Sequence, residues 1–182
     1  MNGAYSTFFG DHAGFQATDA SYSNYIGALA GYGATTAYNA NCLGYRAGYG
    51  AINANDSNFF GYQAGEGAIS ASNSLFSGYQ AGYNPSGHPD FLGPTTNAFG
   101  FIGGSAFLGN QSGYDASGAV SATFVGTNAG YNANLSFAST FIGFQAGYNT
   151  ALNVGNCPAN GAYGSIFVGN WAGKDASDAS NS

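Results

Sequence analysis

Asp11 and His12 set a carboxylate beside an imidazole in the stretch STFFGDHAGF, the pairing that general acid–base catalysis requires. His88, in NPSGHPD, is the second imidazole of the chain, and Cys42 and Cys157 are its two thiols. Acid–base transfer, metal ligation and thiol chemistry are therefore the reactions on offer, and the surroundings argue against each. The positions of Asp11 and His12 elsewhere hold Ala28 and Leu29 or Tyr62 and Gln63, which reads as a solvated corner and not a catalytic pair. His88 has no cysteine or second histidine near it, so metal-site spacing is missing. Two cysteines are too few for a disulfide framework; Cys42 reads as a buried core thiol, and Cys157 falls in an insertion. No G-x-S-x-G elbow, Walker loop or calcium-binding nonapeptide occurs. The sequence thus predicts a protein that is not an enzyme, with no catalytic residue, no metal site and no cofactor.

The elements that carry these residues come from an unusual composition. Of 182 residues only 5% are charged, against about 25% in a typical soluble domain. Glycine contributes 31 residues and aromatic side chains 16%. A net charge of −6 with two basic residues lacks the footprint that a nucleic-acid partner needs. No run of 18 apolar residues is present, so membrane insertion is not expected. The start MNGAYSTFFG has neither the charged nor the apolar region of a signal peptide, which predicts a processed product or another export route.

A tandem repeat explains the composition. Glycines that follow an aromatic–aliphatic pair recur at Gly10, Gly27, Gly44, Gly61, Gly78, Gly93, Gly109, Gly126, Gly143 and Gly169. The spacing is 17 at first, then 15 and 16, then 17 again, and the last step of 26 is one period plus nine inserted residues. The insertion is placed at about 152–161, and the irregular coils at 84–104, within one repeat domain spanning 1–182. Two positions before the anchor stand Phe8, Tyr25, Cys42, Phe59, Phe76, Phe91, Phe107, Phe124, Phe141 and Phe167. Four positions after it a second glycine recurs, as in Gly14, Gly31, Gly48, Gly65, Gly130 and Gly147.

A period of 17 with two glycines excludes a helical repeat, because each glycine inside a helix costs about 1 kcal/mol. It predicts an all-β fold, a parallel β-solenoid of about ten ~17-residue coils in which each coil hydrogen-bonds to those above and below. S-x-F-I-G forms the strand, the glycines turn the corners, and Y-x-A-x-x-A makes a thinner opposite side. Coils ~4.8 Å apart would give a rod on the order of 48 Å long. Like then stacks on like: the Phe8 to Phe167 series forms a structural aromatic ladder. Gln63, Gln80, Gln111 and Gln145 form an amide ladder interrupted at Asn128, and Asn24, Asn41 and Asn58 form another. Charges stacked at this spacing would repel, which accounts for their scarcity.

Adjacent strand residues point to opposite faces, so Phe141 and Ile142 cannot both enter one narrow coil. One column is expected outside: Ile26, Leu43, Phe60, Leu108, Val125, Ile142 and Val168. A second outward column is Tyr32, Tyr49, Tyr83, Tyr114, Tyr131 and Tyr148, headed by Phe15 and interrupted by Glu66. Together they predict a lateral interface with other copies. The alternative is a bend at the glycine that draws both columns partly inside. Neither end shows a capping helix, so the strand edges either recruit further copies end to end, the simpler expectation, or are capped by sequence that is absent here, with Lys174 blunting one edge.

At STFIGFQAG, NFFGYQAG and SLFSGYQAG the repeat resembles the head repeats of trimeric autotransporter adhesins and the Asn-Thr-x-Ile-Gly-Tyr-Gln-Ala repeats of phage tail fibres. The resemblance runs from about Ser6 to Lys174 and implies a left-handed β-roll, commonly trimeric, displayed on a cell surface or virion. This chain departs from them in its longer period and in the phenylalanine that replaces a small strand residue. The expected function is a structural, self-assembling subunit of an extracellular fibre or filament whose partners are copies of itself. The alternative is a trimeric tail-fibre or adhesin segment whose tyrosines and amides bind glycan.

Overall fold

A computed structural model describes residues 4–84, 104–116, 119–133, 136–150 and 164–176. Nine three-residue strands stack in sequence order into a single parallel sheet: β1 (Thr7–Phe9), β2 (Asn24–Ile26), β3 (Asn41–Leu43), β4 (Asn58–Phe60), β5 (Leu75–Ser77), β6 (Ala106–Leu108), β7 (Thr123–Val125), β8 (Thr140–Ile142) and β9 (Ile166–Val168). The register is the repeat register, with Phe8 opposite Tyr25, Phe107 opposite Phe124 and Phe141 opposite Phe167. The architecture is the all-β solenoid that the period predicts. The coil count is corrected. Leu75–Ser77 pairs directly with Ala106–Leu108, so the copy anchored at Gly93 adds no rung between them. Phe91 and Gly93 lie outside the described residues, as do Cys157 and the insertion. Nine rungs at ~4.8 Å span roughly 38 Å between the outermost strands.

The corners are built from overlapping turns. In the first coil the N–H groups of Ala13, Phe15 and Ala17 donate to the carbonyls of Gly10, His12 and Gly14 at 3.2, 3.1 and 3.0 Å. The third residue of each turn, His12, Gly14 or Gln16, has φ between 53° and 66°, the signature of successive type II turns. The alternate N–H groups point along the stack: Gly14 donates to Ala30 at 2.8 Å, and Leu29 and Gly33 reach back to Asp11 and Phe15 at 2.8 Å. From Leu29 to Thr35 the backbone donors thus alternate between carbonyls of the neighbouring coils and carbonyls of their own coil. A non-glycine residue in the left-handed region costs roughly 1–2 kcal/mol, and the inter-coil bonds offset a cost repeated in every coil.

Two glycines show why their columns admit no side chain. Gly126 has φ 129°, and a Cβ built on it would lie 2.5 Å from the carbonyl oxygen of Gly143 in the next coil. Gly65, at φ 65°, packs its bare Cα against the Phe59 ring, whose Cδ1 would be 2.5 Å from an added Cβ. The first kind lets backbone approach backbone, and the second makes room for the core ring.

The core is one column of rings packed with three columns of alanine, one of them Ala30, Ala47, Ala64, Ala81, Ala129 and Ala146. Tyr25, Phe59, Phe76, Phe107, Phe124 and Phe141 are fully buried, with Cys42 in the same column, against Ala34, Ala51, Ala68 and Ala133 and against Ala37, Ala54, Ala71 and Ala119. From Phe76 to Phe167 the rings stack nearly parallel, 4.7 to 5.0 Å between centroids. Phe8 and Phe167, in the outermost coils, are only partly buried.

Candidate functional site: the outer ladders of the solenoid

The strand's alternation sends positions on either side of the core ring outward. Ile26, Leu43, Phe60, Ile142 and Val168 are exposed on the sheet face, together with Phe9, while Leu108 and Val125 are half-buried. Ser77 occupies the same column, so the coil accepts a polar residue there without loss of the strand. Beside this apolar row runs the second outward row, in which the Asn24 amide donates to Asn41 at 2.8 Å and Asn41 to Asn58 at 2.9 Å. Leu75, Ala106, Thr123, Thr140 and Ile166 continue it. The face is therefore an uncharged sheet surface with one apolar and one mostly polar row.

The tyrosine column is less open than its sequence pattern implies. Tyr32, Tyr49, Tyr83, Tyr114, Tyr131 and Tyr148 are half-buried, and only Phe15 at their head is exposed. The cause is stacking, with centroids 5.0 Å apart for Tyr32–Tyr49, 4.7 Å for Tyr114–Tyr131 and 5.0 Å for Tyr131–Tyr148. Burial first, then the neighbouring phenols and Asp115, raise the pKa of Tyr114 and Tyr131 above the ordinary phenol value.

Where the column lacks a ring, Glu66 lies buried between the levels of Tyr49 and Tyr83. Arg46, from the glutamine column, pairs with its Oε1 at 2.6 Å and lies 4.2 Å over the Tyr49 ring. Burial holds the Glu66 carboxyl above its ordinary value, against the opposing pull of Arg46 and Gln63. Gln80 donates to Gln63, and Gln111 to Gln80, each at 3.0 Å. The ladder breaks at Asn128, whose Oδ1 is buried with no hydrogen-bond partner. Its glutamines sit at φ 52° to 55°, so they serve as left-handed corner residues as well as ladder rungs.

No protein-family model, curated protein or solved structure matches this chain. The outer ladders are therefore read on their own geometry. Asp11 and His12 are paired at 2.7 Å but exposed at the rim of the first coil, as a solvated corner would be. No cluster of metal-ligating residues occurs among the described residues. No helix of the described chain is long and apolar enough to cross a membrane. Lys174 does not project as a free edge charge: its Nζ lies 5.1 Å over the Trp171 ring and 5.6 Å over that of Tyr148.

Two features escaped the sequence reading. Tyr45, Tyr62 and Tyr79 form a further exposed ladder at 5.2 and 5.3 Å, one residue past the anchor glycine. The serine four residues before each anchor is internal. Ser23 Oγ accepts the N–H of Ala40 at 3.0 Å and donates to the Ala37 carbonyl at 2.7 Å, and Ser105 does the same with Ala122 and Ala119 at 3.2 and 2.6 Å. The signal was present: alanine alone replaces serine in the described coils, at Ala40 and Ala122, as a buried site for a small residue requires.

Proposed function

We propose that this chain is a structural subunit that packs against copies of itself into an extracellular fibre or filament, using the outer face of the sheet. The observation that carries the reading is the apolar row of Ile26, Leu43, Phe60, Ile142 and Val168, exposed along one uncharged face of the sheet. Facing a second copy of the same row, these side chains would leave water without stranding a charge, at about 25 cal/mol per Å² of apolar surface. The extracellular setting is carried by the resemblance of the repeats. A glycan-binding segment is less favoured, because stacking at 5.2 and 5.3 Å covers the ring faces that Tyr45, Tyr62 and Tyr79 turn to one another.

Leu43→Thr combined with Ile142→Thr tests this, since threonine suits a strand and Ser77 shows that the column tolerates a hydroxyl. The expected outcome is lateral bundles of the wild-type chain in electron micrographs and none of the double variant, at an unchanged denaturation midpoint. Bundling that survives the substitutions, or discrete trimers of wild type that bind immobilised glycan, overturns the reading.

A further inference from the structure

We propose that the coil carrying β9 of one copy docks onto the coil carrying β1 of the next, so that the sheet and its ladders run on across the junction. This rests on the self-assembly reading and names the axial seam within it.

The two outermost described coils present matching backbone groups. In the second coil Gly27, Leu29 and Gly33 donate back to the carbonyls of Phe9, Asp11 and Phe15, each at 2.8 Å. Their column mates in the first coil, Gly10, His12 and Gln16, carry the same donors at the β1 edge of the described stack. In the β9 coil the column mates of those acceptors are the carbonyls of Val168, Asn170 and Lys174, at the β9 edge of the described stack. In the reverse direction, Thr7 and Gly14 donate forward to Ser23 and Ala30 at 2.9 and 2.8 Å. Ile166 and Gly173 hold those positions in the β9 coil. One coil step therefore pairs five donors with five acceptors that no described residue satisfies.

The side chains fit the same step. Phe9 and Val168 are 74% and 64% exposed, whereas internal members of their column, Ile26, Leu43 and Ile142, are 39% to 40% exposed. The difference is the surface that a neighbouring coil covers. The core rings Phe8 and Phe167 are likewise open on one side. Above Gly169 the space that a neighbouring carbonyl fills at other anchors holds nothing nearer than the Ala172 Cβ, 3.9 Å from an added Cβ.

Charge is complementary as well. Asn132 donates to Asn149 at 2.8 Å and Asn149 to Asp175 at 3.0 Å, so this amide ladder ends on a group that only accepts. One step on, Gln16 of the next copy supplies an amide donor to the other side of that carboxylate. Asp11 in turn meets the amide of Asn170. Lys174, already over Tyr148, meets the face of Phe15, much as Arg46 lies over Tyr49 inside the chain.

Gln16→Glu with Asn170→Asp sets carboxylate against Asp175 and against Asp11 across the seam; both sites are exposed in the single chain, so its fold is spared. Two like-charge contacts at ~4.8 Å weaken axial association by about tenfold or more at low ionic strength, and added salt restores part of it. Rod length in micrographs and sedimentation against concentration read this, with Leu43→Thr/Ile142→Thr as the lateral control. Wild-type rods several chains long that shorten to single-chain length in the charge variant support the seam. Wild type that sediments as one chain at every concentration, or rod length indifferent to the charge variant, overturns it, whatever happens laterally. Long, unbundled rods uphold the seam and sink the sheet-face reading.

Discussion

Adding one methyl group at Gly65 separates two reasons for a glycine. In Gly65→Ala the three atoms nearest the new Cβ all belong to the Phe59 ring, with Cδ1 at 2.5 Å and Cε1 at 2.7 Å, at a φ of 65°. The left-handed backbone costs alanine roughly 1–2 kcal/mol. Displacing a packed ring costs about 1–3 kcal/mol more, for a total of about 2–5 kcal/mol. Phe59→Ala alone costs about 3–5 kcal/mol, because the ring is fully buried. In the double variant no ring remains to displace, so the sum of the single effects overshoots by the ring-displacement energy, about 1–3 kcal/mol. Gly126→Ala is the contrast. Its Cβ meets the Gly143 carbonyl oxygen at 2.5 Å and carbon at 2.8 Å, which no side-chain truncation can move. Guanidinium denaturation of the single and double variants gives the coupling, provided the m value is unchanged, since a stack of repeats can lose cooperativity. Additive effects at Gly65 and Phe59, or a Gly65→Ala chain within about 0.5 kcal/mol of wild type, would refute the reasoning.

Two further outcomes follow from buried ionisable groups. The folded Glu66 carboxyl titrates above its ordinary 4.5, so its contribution is fully present below that value and is lost as pH rises through the folded pKa. Glu66→Gln should flatten this part of the pH profile of the denaturation midpoint, and an unchanged profile would show that the Arg46 pair fully compensates burial. Burial pushes the Cys42 thiol far above its ordinary value, and Sγ packs beside Gly48 between the Tyr25 and Phe59 levels. Cys42 should resist a thiol-alkylating reagent at pH 8 in the folded chain and react in denaturant; equal rates in both would place it outside the core.

The repeat register was legible because stacking imposes a translation that every column must obey. The aligned glycines, the Phe column and the Asn24–Asn41–Asn58 ladder could therefore be read from spacing alone. The missing rung at Gly93 was not: its Phe91-Leu92-Gly93 triplet matches the pattern, and only the direct pairing of Leu75–Ser77 with Ala106–Leu108 excludes it. Tyr45, Tyr62 and Tyr79 were overlooked because Ala28, Asn110 and Thr127 interrupt their column, although contact between neighbouring rungs needs no unbroken column.

By itself the sequence determined the solenoid class, the residues that stack and the scarcity of charge in the stack, since a one-dimensional repeat converts spacing directly into neighbours. The tertiary structure decided what each column faces. It put the Phe59–Phe141 ring column inside, the aliphatic row outside, the serines within and the Tyr32–Tyr148 column half-covered by its own stacking. A corner residue's direction depends on its φ, and the left-handed φ of Gln63 or Asn128 is set by the hydrogen bonds of the adjacent coils and not by the residue's own preference.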